Sequence, residues 1–253
     1  MLPRTPSYRL DGKRAVVIGG SRGIGLGCAV ALAEQGASVV IVARSKAQVF
    51  ETVNEMKSEG FSVSGAPMDV SIIDNVKNLM GEYSDIDILV NSAGIARHTP
   101  TVDTTELDFD DVMSINVRSA YFLAQSAAKQ MISKGTGGSI IQISSQMAHV
   151  GGIDRAVYCG TKHAIEGINK SMAIEFGPYK IRVNSICPTF IRTPFTAPTF
   201  KDPEKVKWIE SKIKVGRVGE VEDIMGAVKF LASDVSAMVT GSSILIDGGW
   251  TAG

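Results

Sequence analysis

The 253-residue chain has only three cysteines, Cys28, Cys159 and Cys187, so they cannot all pair, and none stands in a CxxC spacing. A disulfide framework and a structural zinc site are both excluded by that count, and small buried thiols in a reducing compartment are expected. Charge of either sign is not in excess, with 26 Lys+Arg against 26 Asp+Glu. A nucleic-acid partner, which calls for a surplus of basic side chains, is therefore not expected. No window approaches the roughly 18 continuous apolar residues of a membrane span. Met1–Lys13 holds Pro3 and Pro6 and lacks the apolar stretch of about 7–15 residues found in a secretory signal. A cytoplasmic protein with no membrane partner is the expectation.

What the chain does have is an unbroken alternation of short apolar runs and longer amphipathic stretches. Strands are expected at 15–18, 38–42, 63–66, 86–90, 139–143, 181–186 and 243–246. Helices are expected at 24–35, 46–59, 72–83, 107–133, 156–176 and 221–232. Such alternation implies an α/β fold, a doubly wound Rossmann-type parallel sheet of about seven strands with helices on both faces. The run Val39-Val40-Ile41-Val42-Ala43 is apolar throughout, as a strand covered on both faces requires. No Gly/Ser/Pro-rich linker divides the chain, so residues 1–253 read as one domain. The one break in rhythm is 188–215, which carries Pro188, Pro194, Pro198 and Pro203. A segment this irregular beyond a strand's carboxyl end reads as a substrate lid.

Directly after the first strand comes Gly19-Gly20-Ser21-Arg22-Gly23-Ile24-Gly25, followed by a helix. Glycines let the backbone turn sharply and approach a pyrophosphate, and the helix start offers free N–H groups to it. Dinucleotide binding by Gly19, Ser21, Arg22, Gly23, Ile24 and Gly25 follows. The second strand ends Val42-Ala43-Arg44-Ser45, without the carboxylate that would accept the ribose hydroxyls of NAD. Arg22 and Arg44 suit the 2′-phosphate instead, so NADP is the expected cofactor and NAD the lesser alternative.

Tyr158 and Lys162 stand four apart at the start of an expected helix, hence on one face. A phenol titrates near 10, and a neighbouring ammonium lowers that value, so Tyr158 is a candidate general acid/base. Ser144 and Ser145 follow the fifth strand, where a hydroxyl can polarise a carbonyl. Asn116 interrupts the expected long helix 107–133 without a propensity reason.

With these motifs in order, the chain from Leu10 to Trp250 resembles the compact single-domain short-chain dehydrogenases/reductases. Gly19, Gly23 and Gly25 match that family's turn, with Ile18 where Thr is usual, and Asn91-Ser92-Ala93-Gly94 matches its Asn-Asn-Ala-Gly. The family's serine lies thirteen residues before its tyrosine, which selects Ser145 over Ser144. The likeness implies a tetrad of Asn116, Ser145, Tyr158 and Lys162, with Lys162 also on the nicotinamide ribose and Asn116 anchoring a relay water. It implies further cofactor contacts at Asp69, Val70, Asn91, Ala93, Gly94, Ile191 and Thr193, the last two in Pro188-Thr189-Phe190-Ile191-Arg192-Thr193, where Thr189 replaces a usual Gly. The C-terminal stretch implies a homotetramer.

The implied reaction is reversible hydride transfer between NADP(H) and a ketone or secondary alcohol. The small-molecule substrate is read as a sugar, polyol or 3-oxoacyl compound. Ser145, His149 and Tyr158 are the substrate-site candidates, and the trio His149, Asp154 and Arg155 leans towards a hydroxylated or anionic compound. Two alternatives stand beside this: a non-catalytic NADP-binding regulatory protein on the same fold, and an NAD-preferring polyol dehydrogenase.

Overall fold

A computed structural model describes residues 2–253. Alternation of side chains along each inner strand sends successive residues to opposite faces, and both faces are covered. Ala15 and Val17 of β1 (Arg14–Ile18) join Val39 and Ile41 of β2 (Ser38–Ala43) in one core. Helices α1 (Gly23–Glu34), α2 (Lys46–Ser58) and α8 (Glu222–Ala232) cover it. Val16, Ile18, Val40 and Val42 face the other core, closed by α3 (Ile73–Glu82), α5 (Ala120–Lys134) and α6 (Ala156–Phe176).

With β3 (Val63–Pro67), β4 (Ile88–Asn91), β5 (Gly138–Ile143), β6 (Ile181–Pro188) and β7 (Ser243–Ile246), the strands form one seven-stranded sheet of order 3-2-1-4-5-6-7. Every pairing is parallel. The doubly wound sheet expected from the sequence is thus present. All carboxyl ends lie on one edge, and the reversal of strand order at β1/β4 opens a crevice there. Strand β4 begins two residues later than the apolar run suggests, because Ile86 N–H still closes a turn onto the Tyr83 carbonyl at 3.2 Å.

The expected helix 107–133 is three pieces. Helix α4 (Glu106–Met113) passes into a π turn, Ser114–Ser119, before α5 resumes. A wide turn inside a helix is uncommon and concentrates at functional sites. Asn116 is in it. The 188–215 segment is not loose. Helix α7 (Pro203–Lys212) is N-capped by the Asp202 carboxylate, and its Ile209 packs with Phe190, Ile213 and Val218 in a small core of its own.

Beneath the carboxyl edge, Glu166 of α6 ties that helix to the last two strands. Its carboxylate accepts Ser185 Oγ at 2.7 Å, Ser243 Oγ, and Cys187 Sγ at 3.6 Å. Burial pushes this carboxyl up, but the hydroxyl donors outweigh it and hold it below the usual range. A carboxylate held low in the folded state stabilises above its unfolded value and loses that contribution as pH falls through its folded value. Glu166→Gln is therefore expected to flatten the decline of the urea midpoint as pH falls below the ordinary carboxylate range. At pH 7 the same variant should lose about 1–3 kcal/mol. An acid limb as steep as in the parent protein would reject this.

Candidate active site

The cleft at the carboxyl edge has a volume of about 670 Å³. Its first wall is the glycine turn. Gly19 has φ +73°, and a Cβ there would stand 3.0 Å from the Ser92 backbone. At Gly25 a Cβ would lie 2.1 Å from the Gly19 carbonyl oxygen, so the turn closes only without it. Helix α1 begins with Arg22 as its N-cap and no side chain capping it. Its first N–H groups therefore face the cleft as an anion site. Arg22 and Arg44 are exposed and line this end of the cleft with Ser21, Gly23, Ile24, Asp69 and Val70. The Asp69 carboxylate accepts Ser71 N–H at 2.9 Å and Ser71 Oγ at 2.7 Å, which fixes the turn after β3.

At the end of β4, Asn91 is buried and does not reach the cleft. Its Nδ2 donates to Gln142 Oε1 at 2.8 Å and its Oδ1 accepts Ala93 N–H at 3.2 Å, so Asn91 shapes the Ala93–Gly94 wall from behind. Asn116 works in the same manner. Its Oδ1 accepts Ile95 N–H at 2.9 Å, while Nδ2 donates to the Ile95 carbonyl at 2.9 Å and to Thr161 Oγ1 at 3.2 Å. One amide thus clamps the β4 loop to α6. Gly94 leaves room beside it, since a Cβ there would be 3.4 Å from Asn116 Oδ1 and 3.9 Å from Lys162 Nζ.

Tyr158 and Lys162 do converge, with Nζ 5.6 Å from the centre of the phenol ring. Lys162 is buried, and its Nζ donates to the Ile143 carbonyl at 2.9 Å. Burial pulls the ammonium down to about 8, with Cys187 and Glu166 opposing. The phenol behaves otherwise than the sequence suggests. Burial raises Tyr158 above its ordinary value; the Ser145 hydroxyl and the Arg155 guanidinium pull it back only in part. The expected depression by Lys162 is not what governs this group. Ser145 lines the cleft and its Oγ accepts Met147 N–H at 3.1 Å, which orients it.

Opposite the glycine turn, Ile191 and Thr193 line the cleft, and the Thr193 Cβ lies 3.3 Å from where a Gly23 Cβ would be. Thr189 continues the pairing of β6 onto β7 through its N–H to the Ile246 carbonyl at 3.1 Å. The only non-glycine residues at positive φ among those described are Asp154 and Lys180. Thr189 therefore fits without the left-handed backbone that Gly would permit. His149, expected in the substrate site, is exposed and absent from the cleft lining, with its ring near the Glu166 and Cys187 side chains. In its stead the cleft shows His98, together with Arg155 and Phe190.

A family model described as enoyl-(acyl carrier protein) reductase matches residues 18–251. L-xylulose reductase of Bos taurus is 37 % identical over 244 residues, 96 % of this chain and 98 % of that protein. Gluconate 5-dehydrogenase of Gluconobacter oxydans is 36 % identical over 248 residues, 96 % of each. The crystal structure of a gluconate 5-dehydrogenase from Burkholderia cenocepacia, in complex with NADP and tartrate, superposes with a TM-score of 0.94 at 34 % identity. It covers 97 % of this chain and 98 % of that one. The chain belongs to the short-chain dehydrogenase/reductase family. The resemblance seen in the motifs, and the oxidoreductase class acting on CH–OH groups that it implied, both stand.

For this short-chain dehydrogenase/reductase, the glycine turn gives a direct test. Gly25→Ala is expected to cost about 1–3 kcal/mol through forced overpacking and to weaken nucleotide binding. Gly226→Ala, in α8 with nothing within 4 Å of the added methyl, should leave nucleotide affinity unchanged. Thermal melts and a nucleotide fluorescence titration of the two variants read both effects.

Proposed function

We propose that the chain is an NADP(H)-dependent oxidoreductase of sugar or polyol type, interconverting a ketone and a secondary alcohol on a small hydroxylated substrate. The observation that carries this is the meeting of Ser145, Tyr158 and Lys162 in one cleft with an uncapped helix start and two exposed arginines. The relatives named for xylulose and gluconate chemistry, and the neighbour solved with NADP, support the substrate type and the cofactor.

The residues present fit the dinucleotide. The turn carries glycine at 19, 20, 23 and 25, which brings bare backbone to the cleft wall, and α1 supplies the positive end of its dipole. Arg22 and Arg44 make no salt bridge among the described residues, which leaves both guanidinium groups for a 2′-phosphate. Ile191 and Thr193 line the cleft beyond β6, with Thr193 packed against Gly23, and would hold the nicotinamide amide. When bound, the nicotinamide supplies or accepts the hydride.

In the reduction direction, Ser145 and Tyr158 donate hydrogen bonds to the carbonyl oxygen, and Tyr158 delivers the proton as the alcohol forms. A phenol kept protonated by burial is suited to that role. Lys162, brought down to about 8, exchanges protons readily and would hold the nicotinamide ribose beside Tyr158. The Asn116 side chain is committed to Ile95 and Thr161, so a relay water would be held by the backbone carbonyls of the π turn. The homotetramer and the 188–215 lid belong to the same reading. Leu245 on the edge strand β7 is 41 % exposed, a surface suited to a second copy.

Tyr158→Phe should abolish turnover, by at least about 1000-fold as expected for loss of an acid/base group, with NADPH affinity within about threefold of the parent. Retained turnover would dismiss the role. Replacing both Arg22 and Arg44 by Ala should weaken NADPH by about 10–100-fold and leave NADH within about threefold. A parent protein that binds NADH more tightly than NADPH would overturn the cofactor choice.

A further inference from the structure

Three loops that are far apart in sequence meet above Tyr158, after β4, before α6 and after β6. His98, Arg155 and Phe190 are their contributions, and all three line the cleft. The Arg155 NH1 group lies 3.1 Å from His98 Nε2, and its guanidinium carbon stands 5.4 Å over the centre of the Phe190 ring. The His98 ring meets the Tyr158 ring edge-on, with centres 6.3 Å apart and planes at 79°. This cluster therefore borders the point where a carbonyl would be protonated.

A guanidinium only donates, so His98 Nε2 accepts and its proton resides on Nδ1. The imidazole is neutral, pushed down to about 4 by burial and by the Arg155 charge. His98 thus steers the guanidinium without discharging it. The backbone is arranged for this contact: Asp154 has φ +58°, and its carbonyl accepts Thr99 N–H at 3.2 Å, which pins the loop of Arg155 to that of His98. A non-glycine residue in the left-handed region carries a cost that the surrounding structure must offset.

What Arg155 lacks is a counter-ion. Other arginines at this end are paired, Arg97 with Asp108 and Asp111, and Arg192 with Glu220. Arg155 is half-buried and, among the described residues, has no carboxylate within salt-bridge distance. Its contact with His98 is the one hydrogen bond recorded for a group with five N–H donors. Withdrawing a cation from water without a partner is unfavourable, and an anionic ligand repays it. A planar carboxylate matches one guanidinium fork bidentately, whereas a phosphate dianion calls for more than one cation.

We propose that Arg155, positioned by His98 and Phe190, is a specificity-determining residue that pairs with a substrate carboxylate, so that the chain acts on hydroxy and keto acids of the sugar type rather than on neutral sugars. This deepens the reading of the chain as an NADP(H)-dependent oxidoreductase and rests on it.

Gluconate and glucitol have the same six-carbon skeleton and differ by a carboxylate in place of CH2OH, so their affinities for the NADP⁺-loaded protein isolate the contribution of that group. By calorimetric titration, gluconate should bind at least about 20-fold more tightly than glucitol, the range of a charge-assisted bond. Arg155→Met, which keeps an apolar stem against Phe190, should remove that preference while leaving glucitol and NADP⁺ affinity within about threefold. Arg155→Lys should retain part of it. With 5-keto-gluconate and NADPH, Arg155→Met should raise KM far more than it lowers kcat. Equal affinity for gluconate and glucitol, equal weakening of both by Arg155→Met, or tighter binding of glucitol 6-phosphate than of gluconate would each overturn the proposal. Failure of NADP⁺ to bind at all would overturn the underlying reading as well, and the loading step reveals it separately.

Discussion

A buried ammonium must find a partner, and Lys162 finds the carbonyl of Ile143 at 2.9 Å. That contact joins the first turns of α6 to the last residue of β5. Ser145 follows Ile143 by two residues, and Tyr158 precedes Lys162 by one helical turn, so both hydroxyls are set by the same joint. Glu166, one turn further along α6, binds the hydroxyls of β6 and β7 and stops the helix from rotating away. Asn116 adds the third tether through Thr161. The site is built on rigid elements, with three side chains of one helix held by β5, by β6 with β7, and by the π turn.

Burial and charge compete over the two titrating groups, and burial wins at each. The phenol is raised and the ammonium is lowered, so both move towards their neutral forms. Neutral forms cost least in a low-dielectric cleft, and they are the forms from which a proton is given or taken by turns. The cation that pulls Tyr158 down is Arg155 rather than Lys162, and the guanidinium cannot shed its charge when buried while the ammonium can. Lys162 is accordingly better placed to exchange a proton than to act as a fixed charge.

The sheet was legible because apolar runs of strand length, separated by amphipathic helices, admit few other folds. The glycine turn and the Tyr158–Lys162 pair were legible because each lies within one short segment. What escaped depended on contacts between segments or on a subtle change of helical pitch. A π turn adds a single residue to a turn, too little to disturb the apolar periodicity of 107–133, and only the odd presence of Asn116 signalled it. His149 is close to Ser145 in sequence but not in the cleft. The 3₁₀ turn Gln146–Ala148 carries it out of the cleft, and His98 from the neighbouring strand's loop occupies the space instead. Sheet order, which sets β4 beside β5, makes residues fifty apart adjacent. No pattern within a window shows that.

The same separation explains why the chemistry of this chain is easier to read than its substrate. In the proposed reaction Ser145, Tyr158 and Lys162 would act on a carbonyl whatever else is attached to it, so nothing about them distinguishes an acid from a neutral sugar. Discrimination falls to groups on three loops whose composition is free to vary without disturbing the sheet. Among them Arg155 differs in kind. A hydroxyl or amide left idle at a cleft mouth can turn to water, but a half-buried guanidinium stacked on Phe190 and held by His98 has surrendered part of its hydration and, among the described residues, has no carboxylate within salt-bridge distance. A neutral ligand entering above it would strip away still more water and return nothing, whereas a carboxylate would return two charge-assisted bonds. Selectivity at this position therefore arises as much from what the cleft makes unfavourable as from what it attracts.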